Sequence, residues 1–369
     1  MKKILFSQIQ NVELLVENGR PRGGSAVETL VWMKALHENG YDIYQFRHED
    51  DQRKVLKEYN WVNLVPIYDP GKGMKWLRWI THRWPSIYKA LKRTAPDFYY
   101  ESIPGWSSYF SALACRKMGI KYIVRIANDN MLDERILLTH SKFEQFFIRE
   151  TLKQSDRISA QNIYQYQRLR SLYPQKKILK ISNPIIVHNS FINSPKENLQ
   201  YIAWVANFRF QKNLKLLYEI AKLLDTENFK IAGEPLHNMD TETEEYIKKI
   251  SKLGNVEFIG VVNRESILEF LLPAKYLLNT SRYEGFSNTF LEAMVTGTPI
   301  ITTPAVNPDE IISKYNLGII YSEPSELKES LTKITEEEYR IKSHNCREYL
   351  KSYHEHLQLG GELSSFLHS

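Results

Sequence analysis

Two glutamates, Glu284 and Glu292, are separated by seven residues in the stretch SRYEGFSNTFLEAMVTGTP, residues 281–299. A carboxylate accepts two hydroxyl donors well, so such a pair suits the hydroxyls of a sugar or a ribose. Between them Gly285, Phe286, Ser287, Asn288 and Thr289 lead into a helix, whose unpaired N–H groups and dipole favour an anion. Gly285 lets backbone come close to a ligand. Earlier in the chain Arg209 and Lys212 place two cations three residues apart. Each feature also has a plainer meaning: Glu292 favours the helix dipole, Glu284 is solvated, and Arg209-x-x-Lys212 is a solvated helix start.

These residues need elements that bring them together. Tyr276 to Thr280 reads as a strand, Ser281 to Ser287 as a loop and Asn288 to Thr296 as a helix. Ser287 or Asn288 caps its start, Gly297 caps its end, and Thr298-Pro299-Ile300 begins the next strand. Strands at 201–205, 229–232 and 256–259 precede this unit, with helices between them. Leu214, Leu217, Ile220, Ala221 and Leu224 share one face of the first of those helices.

The first half follows the same order. Ile4 to Ser7 is a strand, a helix starts near Gly23-Gly24, and further strands fall at 41–46, 97–100, 121–126, 155–160 and 178–181. Strand, helix, strand repeated implies parallel sheets with crossover helices. The fold class expected is α/β with two Rossmann-like doubly wound domains facing across a cleft, ligands lying at the strand C-terminal ends. The boundaries expected are 1–187, a polar linker at 188–200, 201–336, and C-terminal helices at 337–369 that cross back to the first domain.

At 369 residues the chain exceeds one core, and 43% apolar with 25% charged residues excludes a disordered chain. No run of 18 apolar residues and no secretory signal is evident, so a cytoplasmic location is expected, with the inner face of a membrane as an alternative site. Two cysteines, Cys115 and Cys346, are too few for a disulfide framework or a cysteine metal site. A net charge of +6 favours anionic partners, and no nucleic-acid motif accompanies it.

Tyr283 to Met294 followed by Gly297-Thr298-Pro299 resembles the E-x7-E signature of the retaining GT-B glycosyltransferases, specifically glycosyltransferase family four. Gly23-Gly24, Asn183-Pro184, Val205 to Asn213, Ile231 to Glu234 and Val256 to Gly260 agree with that family in the same order. The resemblance implies a GT-B enzyme that moves a sugar from a nucleotide-sugar donor, by default a UDP-sugar or else a GDP-sugar, to a saccharide or lipid-linked acceptor. It implies no cofactor and no metal.

By the same resemblance Glu284 contacts the donor sugar, Glu292 the ribose, and Gly285 to Thr289 the phosphates and sugar. Phe258 and Ile259 line the nucleobase pocket, Arg209 and Lys212 clamp the diphosphate, and Gly23 and Gly24 approach donor and acceptor. The proton of the acceptor passes to the leaving phosphate, so no protein nucleophile is needed.

The chain departs from the family at two places. Ala127 stands where many relatives carry a histidine, which leaves Asp129 to orient donor or acceptor or to serve as a turn former. Asn207 stands where relatives often have an arginine. These departures keep open an alternative function, a nucleotide-sugar-binding protein or partner subunit without turnover.

A further stretch, residues 71–97, interleaves Trp76, Trp79 and Trp84 with seven lysines and arginines between 72 and 93. It suits the interface of an anionic membrane, or else buries its tryptophans against the first sheet.

Overall fold

The computed structural model describes residues 1–369 except 21–23, 139, 188 and 236–238, and leaves aside the side chain of Leu138. Gly23 and the first residue of the expected linker, His188, therefore lie outside the described residues. The chain divides into two units, residues 1–184 with 356–369, and residues 185–355.

The first unit is built on seven parallel strands: β1 (Lys2–Phe6), β2 (Tyr41–Arg47), β3 (Val62–Pro66), β4 (Phe98–Glu101), β5 (Lys121–Arg125), β6 (Arg157–Ala160) and β7 (Lys177–Lys180). Their order is β3-β2-β1-β4-β5-β6-β7. Four of the five residues of β5, Tyr122 to Arg125, are buried, as a parallel sheet covered on both faces requires. β3 escaped sequence reading because it is short and ends in Pro66. That ending suits its place at the edge, where a proline removes no ladder bond that a neighbour needs.

The second unit carries six parallel strands: β8 (Tyr201–Val205), β9 (Phe229–Ala232), β10 (Val256–Gly260), β11 (Ala274–Leu278), β12 (Ile300–Thr302) and β13 (Gly318–Ile320), in the order β10-β9-β8-β11-β12-β13. The sequence shows β13 poorly, since it has only three residues. The chain leaves β8 toward β9 on one side and later returns to place β11 on the other. The loops after β8 and β11 therefore emerge side by side at the C-terminal edge, at the switch point of the sheet.

Two of the expected boundaries are corrected. The segment before β8 is part of the second unit rather than a free linker: Ile192 is buried in its core, and Lys196 donates to the Leu271 and Leu272 carbonyls at 2.9 and 2.6 Å and to Thr298 Oγ1 at 2.6 Å. The polar composition misled because a few buried contacts suffice to hold it.

The C-terminal helices are also shared differently. Glu336–Tyr353 stays with the second unit, where Cys346, Tyr349 and Leu350 join the core around Phe290 and Met294. Only His356–His368 belongs to the first unit. Its Leu359, Leu363 and Leu367 recur every four residues and pack with Leu30, Met33 and Leu36 of the Gly24–Glu38 helix. A Cβ at Gly360 would meet the Ala35 carbonyl oxygen at 2.9 Å, so glycine allows the two helices to approach.

Candidate functional site

In the second unit the sheet topology brings Lys212 against Glu284 although they are 72 residues apart. The Lys212 ammonium pairs directly with Glu284 Oε1, and the two side chains keep only 14% and 11% of their exposure. Ser281 Oγ donates to the same oxygen at 2.8 Å, and Gln211 Nε2 donates to Oε2 at 3.3 Å. The carboxylate is thus held by three donors on two loops. Such a network fixes its orientation before any ligand arrives.

The two loops are also fastened through their backbones. Arg282 N–H donates to the Gln211 carbonyl at 2.8 Å, Gln211 Nε2 to the Tyr283 carbonyl at 2.8 Å, and Thr280 Oγ1 to the Lys212 carbonyl at 2.7 Å. Trp204 at the end of β8 donates from its indole to Thr280 Oγ1 at 2.9 Å. Arg282 completes the fastening: its guanidinium lies 3.8 Å from the centre of the Phe210 ring, donates to the Phe210 carbonyl and pairs with Glu242 Oε1 at 2.6 Å. Gln211, Ser281, Arg282 and Glu242 did not stand out in the sequence. Only the adjacency of β8 and β11 gives them this role.

Arg209 behaves differently from Lys212. It sits in extended backbone ahead of the Phe210–Lys212 turn, is exposed, and has no side-chain partner among the described residues. It is a charge available to a ligand. Asn207, where the resemblance leads one to expect an arginine, lies two residues before it in the loop after β8.

The helix Asn288–Val295 starts at Ser287, which is extended and makes no capping bond with its side chain. Its Oγ instead shares a 2.8 Å hydrogen bond with Thr289 Oγ1. Gly285 and Ser287 are buried, and Phe286, Asn288 and Thr289 are half-buried. At the other end Gly297 takes the left-handed conformation expected of a cap, φ 66°.

Glu292, one helical turn into this helix, is half-buried, and its carboxyl makes no hydrogen bond among the described residues. Burial pushes its carboxyl up to about 7, with the Arg264 guanidinium acting in the opposite direction. Both glutamates stand on the segment following β11. One is satisfied by protein donors and the other has acceptor capacity to spare.

Phe258 and Ile259 occupy the edge strand β10. Phe258 is half-buried and packs edge-on against Phe208 at 5.9 Å, whereas Ile259 is partly exposed. The neighbouring Gly233 has φ 140°, and a Cβ there would fall 1.9 Å from the Ala206 carbonyl oxygen. No side chain can be added at that crossing of β8 and β9 without moving backbone.

In the first unit Gly24 opens the helix Gly24–Glu38 after β1. Glu28, one turn on, pairs with Arg125 at the end of β5, and both are almost fully buried. Trp32 Nε1 donates to Glu28 Oε1 at 3.1 Å, and Arg125 also donates to Asn183 of the Asn183-Pro184 motif. This ion pair fixes the entry of the helix. Its members were invisible as a group in the sequence because Glu28 and Arg125 lie in different motifs.

Asp129 Oδ1 accepts from Asn162 Nδ2 at 2.9 Å and Gln165 Nε2 at 2.8 Å, tying the turn after β5 to the Ile163–Leu172 helix. Burial raises its carboxyl while those two bonds lower it. These contacts are those of a turn anchor, and any role toward substrate would fall to Oδ2. Of the two histidines close in sequence near the C-terminus, His354 packs on Phe286 and Tyr349, and His356 Nε2 lies 2.9 Å from Glu38 Oε2. Among the described residues no group of three or more His, Cys, Asp or Glu side chains converges as a metal site.

Residues 188–353 match the model of the glycosyl transferases group 1 family. That match lies within the second unit. A 41.2 kDa protein of the cps region of Klebsiella pneumoniae is 24% identical over 53% of this chain and 57% of its own length, so this chain spans just over half of that relative. Sucrose-phosphate synthase from Thermosynechococcus elongatus superposes with a TM-score of 0.80 at 14% identity, covering 99% of this chain and 98% of the other. Anabaena HepE in complex with UDP and glucose superposes with a TM-score of 0.76 at 16% identity over all of both chains. The fold is GT-B, with two parallel-sheet Rossmann-like domains. Among the described residues no helix is long and apolar enough to cross a membrane.

Proposed function

We propose that the protein is a retaining glycosyltransferase that moves a sugar from a nucleotide-sugar donor to a saccharide or lipid-linked acceptor in the assembly of a cell-surface polysaccharide or glycolipid. The observation that carries the proposal is the Lys212–Glu284 pair, held at the switch point of the sheet within the region that matches the family. A UDP-sugar is the preferred donor, in line with the UDP and glucose bound to the structural neighbour HepE. The cps region of the Klebsiella relative supports the polysaccharide context.

On this reading the donor diphosphate lies on the amides of Gly285 to Thr289 and draws Lys212 and Arg209 onto its oxygens. As the glycosidic bond breaks, negative charge grows on the leaving phosphate, and cations already in place lower the barrier without reorganisation. Glu284, released from Lys212 but still held by Ser281 and Gln211, accepts from hydroxyls of the transferred sugar. Glu292 accepts from the ribose, which satisfies a carboxyl that has no donor among the described residues. The base lies along Phe258 and Ile259. The leaving phosphate takes the acceptor proton on the face it vacates, which retains configuration and needs neither a protein nucleophile nor a metal. The acceptor is assigned to the first unit, where Gly24 opens its helix without a side chain. We further place the protein at the inner face of a membrane, with residues 72–93 toward lipid.

Purified protein incubated with UDP-, GDP- and ADP-sugars, with and without a membrane extract, should release nucleotide from one donor class. Release from none would favour a binding protein that has lost turnover.

A further inference from the structure

The tryptophan-rich segment is only one end of an apolar surface. Trp76 is 95% exposed, with Met74 and Ile80 also exposed, whereas Trp79 and Trp84 turn inward onto the first unit's core. Burial therefore claims two of the three tryptophans and leaves the third in solvent.

A second exposed group lies on two helices of the same unit. The helix Lys142–Gln154 buries Gln145, Ile148 and Leu152, which share one face. Phe143 and Phe146 lie on the opposite face and are 61% and 58% exposed. A surface helix ordinarily presents polar residues there. The adjoining helix Ser108–Met118 adds Phe110 and Leu113, three residues apart and also exposed.

Ring contacts join the two groups. Phe143 and Phe146 lie 4.8 and 5.3 Å from Phe147, Phe147 stacks 5.9 Å from Phe110, and Phe110 meets Trp106 at 6.2 Å. Trp106 meets Trp79 at 4.6 Å, which brings the series to the segment bearing Trp76. Exposed apolar residues connected in this way mark an interaction surface rather than scattered surface hydrophobes.

We propose that this aromatic ridge enters the interface of an anionic lipid bilayer, with Phe143 and Phe146 as a second insertion point beside Trp76. The proposal rests on the membrane-facing reading of residues 72–93 given above. Charge selects lipid over a second copy of the chain. Residues 71–93 contain seven lysines and arginines and no acidic residue. On the phenylalanine helix the carboxylates are engaged: Glu144 closes the cap with Ser141, and Glu150 pairs with Lys153 at 2.6 Å. Lys142 and Arg149 remain to flank the rings. Two such surfaces placed symmetrically face to face would repel, whereas anionic headgroups attract basic residues while aromatic rings settle at their level.

The test is co-sedimentation with vesicles of phosphatidylethanolamine and phosphatidylglycerol, compared with phosphatidylcholine alone, using the full chain. Phe143→Ser/Phe146→Ser and Trp76→Ser/Ile80→Ser should each lower partition onto the anionic vesicles by about tenfold or more, while Phe143→Leu/Phe146→Leu retains most of it. Nucleotide release from a soluble donor should be unchanged in all three. Loss only in the Trp76 variant would overturn the ridge and leave the segment alone as the lipid contact. Absence of wild-type binding to anionic vesicles, or a wild-type dimer that the phenylalanine variant dissociates, would overturn the proposal. Release of nucleotide from no donor by wild-type protein would count against the transferase reading, and the vesicle result would stand apart from it.

Discussion

Replacing Lys212 by alanine separates the two jobs that its ammonium would do. In the unliganded protein it neutralises a carboxylate that retains only 11% of its exposure. Removing one partner of a buried pair costs about 3–5 kcal/mol, because the other charge is left stranded. Here Ser281 and Gln211 continue to donate to Glu284, and a charge-assisted hydrogen bond contributes about 1.5–3 kcal/mol, which reduces the expected destabilisation to about 1.5–2 kcal/mol. For a unit of this size that lowers the melting temperature by roughly 3–8 °C.

Catalysis should suffer independently. A donor that meets charge developing in the transition state contributes about 10²–10³ in kcat. The decisive comparison adds Glu284→Ala and the double variant, measured both for thermal unfolding and for nucleotide release from the donor found by panel screening. Lys212→Ala/Glu284→Ala should recover about 1–2 kcal/mol relative to Lys212→Ala, since the stranded carboxylate is gone, yet remain inactive. Turnover of Lys212→Ala within about threefold of wild type would refute the clamp. A double variant no more stable than Lys212→Ala would refute the claim that Glu284 is stranded.

Other perturbations test separate parts of the same construction. Burial raises both Glu101 and Glu292 to about 7 from 4.5, so the folded chain binds more protons than the unfolded one between these values. Their contribution to stability must therefore fall as pH rises from about 4.5 through 7, and Glu292→Gln should melt higher than wild type at pH 8 by an amount that vanishes near pH 4, while raising the donor KM about tenfold. Arg282→Ala removes the Glu242 pair and the Phe210 stacking together, and should cost about 1–2 kcal/mol in unfolding and about tenfold in kcat/KM; Arg282→Lys should not restore either, because ammonium lacks the planar fork. Gly233→Ala must push the Ala206 carbonyl aside and should lose about 2–4 kcal/mol, read as a melting-temperature drop with no change in a surface control such as Gly254→Ala.

The strands and helices were legible wherever apolar runs were long or turn residues punctuated them, as in β5 or the Asn288–Val295 helix. They were illegible in β3 and β13, where too few residues carry a period. The carboxylates and cations of the site were visible because their residue types are chemically suggestive at short spacing. Their supports were not: Gln211 and Ser281 are ordinary polar residues until β8 and β11 become neighbours. The same cause explains the helix Glu336–Tyr353. Its composition allowed either unit, and what assigns it is the close fit around Gly297, where Ser343 Oγ donates to the Gly297 carbonyl at 2.6 Å.

Burial also decides between meanings that sequence leaves equal. Glu284 and Glu292 look alike in the motif, yet one is neutralised by Lys212 and held by two further donors, and the other has no donor among the described residues and a raised carboxyl. A purely structural pair would leave both satisfied, since an unpaired half-buried carboxylate lowers stability without return. A pair designed for hydroxyl-bearing ligand requires the asymmetry observed: one carboxylate oriented in advance, and one whose acceptor capacity is filled only when the ribose arrives. On that argument Glu292, rather than the more elaborately bonded Glu284, should show the larger shift in its titration on donor binding. Its carboxyl should move down from about 7 when two hydroxyls donate to it, a change that pH-dependent donor affinity would report as tighter binding above neutrality.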